Sequence, residues 1–298
     1  MNQPNKLLLI FCFIAGFSAL QGCASSQKTD KDVMPSANLV IVEPLAINYK
    51  SELAIARLSE VIYRVEITDQ QRAQLFYDRG VLFDSVGLLS LARLDFSRAL
   101  QLDPKLVDAY NFLGIHFTQL NEFSQAYEKF DSAIELNPEH EYAYLNRGIA
   151  LYYGDRLELA IDDFETFHHD KTNDPYRVIW LFIAEYQLDK QRALANLAKR
   201  QQQVADTVWA KQIIALYLDE ISQEQFINGL TYGAKSRKEL TDRLCEAYFY
   251  LAKYNQHLGR TKTAENFFKL SLSTNVYEFV EHRYAKLELN LMRTKMVK

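Results

Sequence analysis

The sequence of this 298-residue chain predicts an all-α fold, a superhelical solenoid with an extra helix before the repeats and a capping helix after them. Three observations support that fold class. One residue pattern recurs every 34 residues, the composition combines 48% hydrophobic residues with only ten glycines and six prolines, and helical spacing of apolar residues continues on both sides of the repeated region. Each repeat can bury its apolar face only against the next one, so a continuous array is expected.

The repeated pattern places small and large residues at fixed positions of each unit. The eighth position of each unit is glycine, at Gly80, Gly114 and Gly148. The twentieth position is alanine, at Ala92, Ala126 and Ala160. The twenty-fourth position is phenylalanine, at Phe96, Phe130 and Phe164. Small residues let the two helices of a unit approach closely, while the phenylalanines fill the space beside that contact. Pro104 and Pro138 end the first two units, because the residue before a proline leaves the helical region. The pattern is typical of tetratricopeptide repeats and predicts three of them at 73–172.

The segment before the repeats, residues 46–68, carries Ile55, Leu58 and Ile62 at helical spacing but outside the repeat register. A solenoid needs its terminal apolar face covered, and an exposed apolar helix can also join two subunits. The segment is therefore predicted to be either a cap or a dimerisation helix.

The segment after the three repeats is predicted to continue the array. Residues 175–243 are assigned to degenerate helical repeats, 245–276 to a C-terminal tetratricopeptide repeat, and 277–298 to a closing helix and tail. The late repeat is identified by residues that match the earlier units in type and relative place: Tyr248, Leu251, Ala252, Ala264 and Phe268.

The N-terminus reads as a targeting segment. The apolar run 7–19 would span only about 20 Å as a helix, against roughly 30 Å for a hydrocarbon core, so it is interpreted as part of a signal peptide at 1–22. Leu20-Gln21-Gly22-Cys23 is typical of a lipoprotein cleavage site, which predicts lipidation of Cys23 and a membrane anchor. The alternative is an ordinary secretory signal with an incidental cysteine. Residues 23–45 are predicted to be the lipidated cysteine and a disordered linker.

Composition limits the possible functions. The formal net charge is −4, and about −5 once Lys6 leaves with the signal peptide, with no basic stripe, which argues against a nucleic-acid partner. The sequence carries no nucleophile elbow, glycine-rich phosphate loop, paired CxxC or HExxH. The run His168-His169-Asp170 is interpreted as a solvated turn and not as metal ligands, because neighbouring positions on a helix point in different directions. We therefore expect no catalytic residues, metal or cofactor.

A tetratricopeptide array offers a concave groove lined by the first helix of each unit. The predicted partner-binding residues at the groove positions are Tyr77, Asp84, Asn111, Ile115, Thr118, Gln119, Asn146, Ile149, Tyr152 and Tyr153. Amide side chains can hydrogen-bond an extended peptide backbone, and tyrosines supply amphipathic contact area. The alternative interpretation is that part of this stripe packs between repeats.

Three segments carry a closer resemblance: RAQLFYDRGVLFDSVGLLSLARLDFSRAL, LNRGIALYYGDRLELA and NVYEFVEHRYAKLELNL. Together with the lipoprotein site, they resemble the NlpI family of bacterial outer-membrane lipoproteins. The resemblance implies a lipid-anchored homodimer facing the periplasm, without enzymatic activity. It further implies an adaptor that binds a periplasmic C-terminal-processing (tail-specific) protease and peptidoglycan (murein) endopeptidases, and that coordinates cell-wall enzymes during cell division.

Two other functions are weighed against that expectation. A cell-wall enzyme with a tetratricopeptide module would need a catalytic domain, and no unassigned segment is long enough to form one. A structural subunit of an outer-membrane lipoprotein complex, without proteolytic coupling, is the remaining alternative.

Overall fold

The computed structural model describes residues 39–64 and 66–297. The predicted signal peptide, Cys23 and the linker as far as Asn38 lie outside the described residues. All regular secondary structure in the described part is helical, which confirms the predicted all-α class. The helices are α1 (Tyr49–Arg64), α2 (Asp69–Ser85), α3 (Leu89–Leu102), α4 (Val107–Gln119), α5 (Phe123–Leu136), α6 (Glu141–Tyr153), α7 (Leu157–His169), α8 (Pro175–Leu188), α9 (Lys190–Gln201), α10 (Lys211–Tyr217), α11 (Gln223–Gly229), α12 (Arg237–His257), α13 (Thr261–Leu272) and α14 (Val280–Val297). None of the described helices is long and apolar enough to cross a membrane.

The three predicted repeats correspond to the helix pairs α2–α3, α4–α5 and α6–α7. In each pair the glycine of the first helix lies against the phenylalanine sixteen positions later on the second helix. A Cβ atom added at Gly114 would lie 2.6 Å from the ring of Phe130, closer than any ordinary contact. The same contact recurs at Gly80 and Gly148, so the 34-residue pattern reflects one packing arrangement used three times.

The first and third helix pairs each contain an ion pair between their two helices, buried in the first pair and partly buried in the third. The guanidinium of Arg79 on α2 donates to both carboxylate oxygens of Asp95 on α3, at 2.6 and 2.8 Å. Arg147 on α6 donates to Asp163 on α7 in the same bidentate way, at 2.8 Å for each bond. This geometry adds orientation as well as attraction, so it fixes how the second helix lies on the first.

The C-terminal half is less regular. The pair α8–α9 is followed by two seven-residue helices, α10 and α11, before the long helix α12 pairs with α13. Helix α12 begins at Arg237, earlier than the predicted repeat start at Cys245, because the Ser236 side chain accepts from the backbone N–H of Glu239 and caps it there. The largest core of the described residues extends from the third repeat through this half and includes the fully buried Phe164, Phe182 and Phe249.

Helix α14 closes the array and also reaches back into it. It packs against α12 and α13, and it contacts α4 of the second repeat. Near its start, Arg283 pairs with Asp84 of α2. The C-terminal helix therefore contacts both of the first two repeats.

Residues 39–48, which we term the strap, precede α1 without forming a helix. The Leu45 amide donates to the Thr274 carbonyl at 2.9 Å, and the Tyr248 hydroxyl donates to the Val40 carbonyl. Leu39, Val40 and Val42 pack on the core of the C-terminal half. The part of the predicted linker from residue 39 onward thus lies along α12 and the end of α13.

Candidate partner-binding groove

The predicted groove residues all lie on the first helices of the three repeats. They divide as Tyr77 and Asp84 on α2; Asn111, Ile115, Thr118 and Gln119 on α4; Asn146, Ile149, Tyr152 and Tyr153 on α6. The structure brings neighbouring members of this set together, but it leaves few of them open to a partner.

The centre of the set packs between repeats. The Asn146 side chain donates to the Asn111 side-chain oxygen at 3.0 Å, and both residues are buried. Ile115 and Ile149 are buried as well, and the buried Thr118 hydroxyl donates to the Gly114 carbonyl at 2.8 Å. These side chains therefore hold one repeat on the next.

Asp84 is engaged inside the protein. Its carboxylate lies 2.7 Å from Nε2 of His116, and it also pairs with Arg283 of α14. Burial lowers the pKa of His116 despite this carboxylate, so the imidazole is neutral and donates its Nε2 proton. Asp84 thus links α2, α4 and α14.

Tyr77 and Gln119 keep partial exposure. The Tyr77 ring lies 5.9 Å from that of Phe96 and 6.2 Å from that of Phe112, measured between centroids. Burial, reinforced by the negative charges of Asp108 and Asp78, raises the pKa of Tyr77 to about 12. Its hydroxyl is therefore protonated at neutral pH and remains a possible donor.

Helix α14 covers the far end of α6. Lys253 of α12 donates to the Tyr152 hydroxyl at 2.8 Å and to Glu288 of α14 at 2.6 Å. The Tyr153 hydroxyl donates to the same carboxylate at 2.9 Å, and its ring stacks on Tyr284 at 5.5 Å. Tyr153 therefore contacts the closing helix directly, and Tyr152 is linked to it through Lys253.

The open part of the inner face lies near the N-terminal ends of α6 and α8. A cavity of about 500 Å³, which we term the groove cavity, lies between α6, α8, α12 and the segment leading into α14. Its volume falls within the range of about 300–1,000 Å³ found for ligand pockets. The aromatic side chains that line it are Tyr142, Phe167, Tyr176, Trp180 and Phe279. Tyr142 occupies the second position of the third repeat and is 52% exposed.

Two glutamates from different helices also line the groove cavity. Glu246 of α12 accepts from the Tyr176 hydroxyl at 2.7 Å, and Glu281 of α14 accepts from the Tyr250 hydroxyl at 2.7 Å. Burial, followed by repulsion from Glu281, raises the pKa of Glu246 to about 8. Burial also raises the pKa of Glu281. Within the described residues, no lysine or arginine forms an ion pair with either carboxylate.

The cations that line the groove cavity are already paired. Arg177 and Lys171 both donate to Glu141, at 2.5 and 3.2 Å, and the Arg177 guanidinium lies 3.8 Å from the centroid of the Phe167 ring. Their positive charges are therefore balanced by Glu141, whereas no cation of the described residues pairs with either of the two inner carboxyl groups.

Sequence reasoning missed both glutamates. Glu246 stands between Cys245 and Ala247, which are buried positions of the late repeat, so a carboxylate inside an apolar pattern was the available signal. Glu281 lies in the first turn of α14 and Phe279 directly precedes that helix, and no sequence spacing indicates that this part of the chain approaches α8. The predicted solvated run at His168-His169-Asp170 forms the last turn and the C-cap of α7.

No protein-family model matches this chain. Among solved structures, one of MamA is 20% identical, with 52% of this chain and 89% of that chain covered and a TM-score of 0.47. YrrB, described as a TPR protein with an unusual peptide-binding site, is 14% identical, with 74% and 92% covered and a TM-score of 0.40. The C-terminal part of a TPR repeat-containing protein from Cytophaga hutchinsonii is 20% identical, with 76% and 78% covered and a TM-score of 0.40. The fold class of this chain rests on its own helix pairs and their repeated glycine–phenylalanine contact.

Proposed function

We propose that this chain is a non-enzymatic adaptor of the NlpI type, which binds protein partners in the groove cavity. A tetratricopeptide array is a scaffold for protein–protein interaction, and the observation that carries the proposal is an open, aromatic-lined cavity on the inner face of the array. Aromatic side chains dominate binding energy at protein interfaces because they bury large apolar areas at low conformational cost.

The proposed partners are a periplasmic C-terminal-processing protease and the peptidoglycan endopeptidases that it degrades, together with other cell-wall enzymes. An adaptor that holds a protease and its substrate on one body raises their effective concentration without any new bond chemistry. The resemblance to the NlpI family supports this choice of partners.

The proposed site of action is the periplasmic face of the outer membrane, with the chain anchored through lipid on Cys23. The lipoprotein cleavage site at Leu20-Gln21-Gly22-Cys23 supports the anchor. A Cys23→Ser variant should move from the membrane fraction to the soluble periplasmic fraction. Retention of that variant in the outer membrane would contradict the lipid anchor.

We further propose that the chain is a homodimer that pairs through α1. On this helix Tyr49, Leu53 and Tyr63 are 69, 46 and 62% exposed, so apolar surface remains uncovered in the single subunit. Leu53→Asp should shift the protein from dimer to monomer in sedimentation velocity. A wild-type chain that sediments as a monomer at all concentrations would contradict this pairing.

The adaptor function is tested by capture from a periplasmic extract. The mature chain carrying Cys23→Ser serves as bait, and the captured fraction is added to a small murein endopeptidase whose loss is followed with time. We expect capture of a tail-specific protease and faster degradation than with protease alone.

The groove variant for that assay is Tyr142→Ala, and its matched control is Tyr232→Ala, an 88% exposed tyrosine that does not line the groove cavity. Only the first should slow degradation. If the mature chain carrying Cys23→Ser captures no protease and the endopeptidase half-life is unchanged, the proposed proteolytic coupling is wrong. Stable co-purification with membrane barrels would instead favour a structural subunit of an outer-membrane lipoprotein complex.

A further inference from the structure

The two carboxylates of the groove cavity lie on separate helices and face the same space. Glu246 comes from α12, and Glu281, which is 6% exposed, comes from α14. A buried carboxylate is costly unless an opposite charge or several hydrogen bonds compensate it. Tyrosine hydroxyls donate to both carboxyl groups, but no cation of the described residues pairs with either of them.

The surrounding aromatic rings complete the environment that a cation prefers. Tyr142 and Trp180 line the same cavity, and the electron-rich face of such rings attracts ammonium and guanidinium groups. An anionic ligand is disfavoured, because Arg177 and Lys171 are already paired with Glu141.

The chain itself contains a filled version of this arrangement. Lys253 lies 4.8 Å from the centroid of the Tyr152 ring and 2.6 Å from Glu288, so a cation, a tyrosine face and a carboxylate meet in one buried cluster. The groove cavity offers the ring and the carboxylates without the cation.

We propose that the groove cavity receives a basic side chain, lysine or arginine, from the protein partner. This inference rests on the proposed function, because it specifies the chemistry of the partner that enters the same cavity. The basic group lies between the two glutamates and against the ring of Tyr142, which is the exposed aromatic side chain of the lining. The partner's flanking residues follow the inner face of the repeats.

The inference is tested with a random decapeptide library displayed on phage and selected against the mature chain carrying Cys23→Ser. We expect lysine and arginine to be enriched at one position of the selected peptides and acidic residues to be depleted. The double variant Glu246→Gln, Glu281→Gln keeps side-chain size and hydrogen-bonding capacity, and it should lose that enrichment.

A selected basic peptide is then titrated by fluorescence anisotropy. Its affinity should fall at least tenfold in the double variant, and also in the peptide whose basic residue is replaced by norleucine. The matched control is Glu158→Gln, an exposed carboxylate on α7 that does not line the groove cavity, and it should change affinity less than threefold. Far-UV circular dichroism and thermal melting confirm that each variant is folded.

Two results would overturn the inference: peptides selected for apolar residues alone, or equal basic enrichment on the wild-type chain and the double variant. The adaptor proposal can fail independently of this inference. If the double variant captures the protease as well as the wild-type chain does, the adaptor proposal holds and the basic-residue site is wrong. If basic peptides bind but no protease is captured, the basic-residue site holds and the adaptor proposal is wrong.

Discussion

Replacing Lys253 with methionine should destabilise the fold strongly, because it removes the cation from a buried cluster. Lys253 and Glu288 are 3 and 5% exposed, and their charged groups lie 2.6 Å apart. Breaking a buried ion pair by deleting one partner costs about 3–5 kcal/mol, because the other charge is left buried and uncompensated. With an m-value of about 2–3 kcal/mol/M in urea, the unfolding midpoint should fall by roughly 1–2 M.

The companion variants separate charge from packing. In Lys253→Met, Glu288→Leu both charges are absent, and most of the lost stability should return, to within about 1–2 kcal/mol of wild type. Lys190→Met is the matched control, since Lys190 is exposed and lies 5.5 Å from the Tyr186 ring, and it should cost less than about 1 kcal/mol.

The loss in Lys253→Met should also depend on pH. Burial raises the pKa of Glu288, but in the wild type Lys253, together with hydrogen bonds from Gln256 and Tyr153, offsets burial and holds that pKa below its usual value. Without the lysine, the folded-state pKa should rise above the unfolded value, so the variant loses stability as pH increases. The penalty relative to wild type should be larger at pH 8 than at pH 5. A penalty below 1 kcal/mol, or a double variant as unstable as the single one, would refute the reasoning.

Three further predictions follow from single contacts. Gly114→Ala places a methyl group 2.6 Å from the Phe130 ring and should cost about 1–3 kcal/mol in urea unfolding, with partial recovery in Gly114→Ala, Phe130→Leu; a neutral single variant would contradict the close-packing argument. Glu246→Gln should raise the melting temperature at pH 8 but not at pH 4. The folded-state pKa of Glu246 is about 8, so the wild-type fold loses stability as the pH rises from the pKa of this group in the unfolded chain towards 8, and glutamine avoids that loss. An equal effect at both pH values would contradict this. Burial raises the pKa of the Cys245 thiol to about 12, so iodoacetamide at pH 8 should label the urea-unfolded chain and leave the native chain unlabelled, as read by mass spectrometry; rapid native labelling would show that the thiol is accessible.

The repeats could be predicted from sequence because their determining contact is local. Each glycine meets a phenylalanine on the next helix of the same unit, so one short pattern encodes the packing and recurs with the unit. The helix ends follow equally local rules, as at Thr68 and Gln71, where both bonds of a capping box form.

The groove could not be predicted in the same way. The partners of Asp84 are His116 in the next repeat and Arg283 in the last helix, so its role depends on where the whole array brings α14. Small rotations between repeats accumulate along a solenoid, and no residue spacing encodes their sum. The repeat register therefore predicts which helices carry the groove positions, but it does not predict that α14 covers the far end of α6.

The strap also changes where mechanical load would enter the molecule. Any pull on the chain N-terminal to Leu39 reaches α12 first, through the Tyr248–Val40 bond, and then the end of α13, through the Leu45–Thr274 bond. Only beyond these points does the force reach α1 and the first repeat. A tether at this end is therefore held by contacts with α12 and the end of α13 before the chain enters α1.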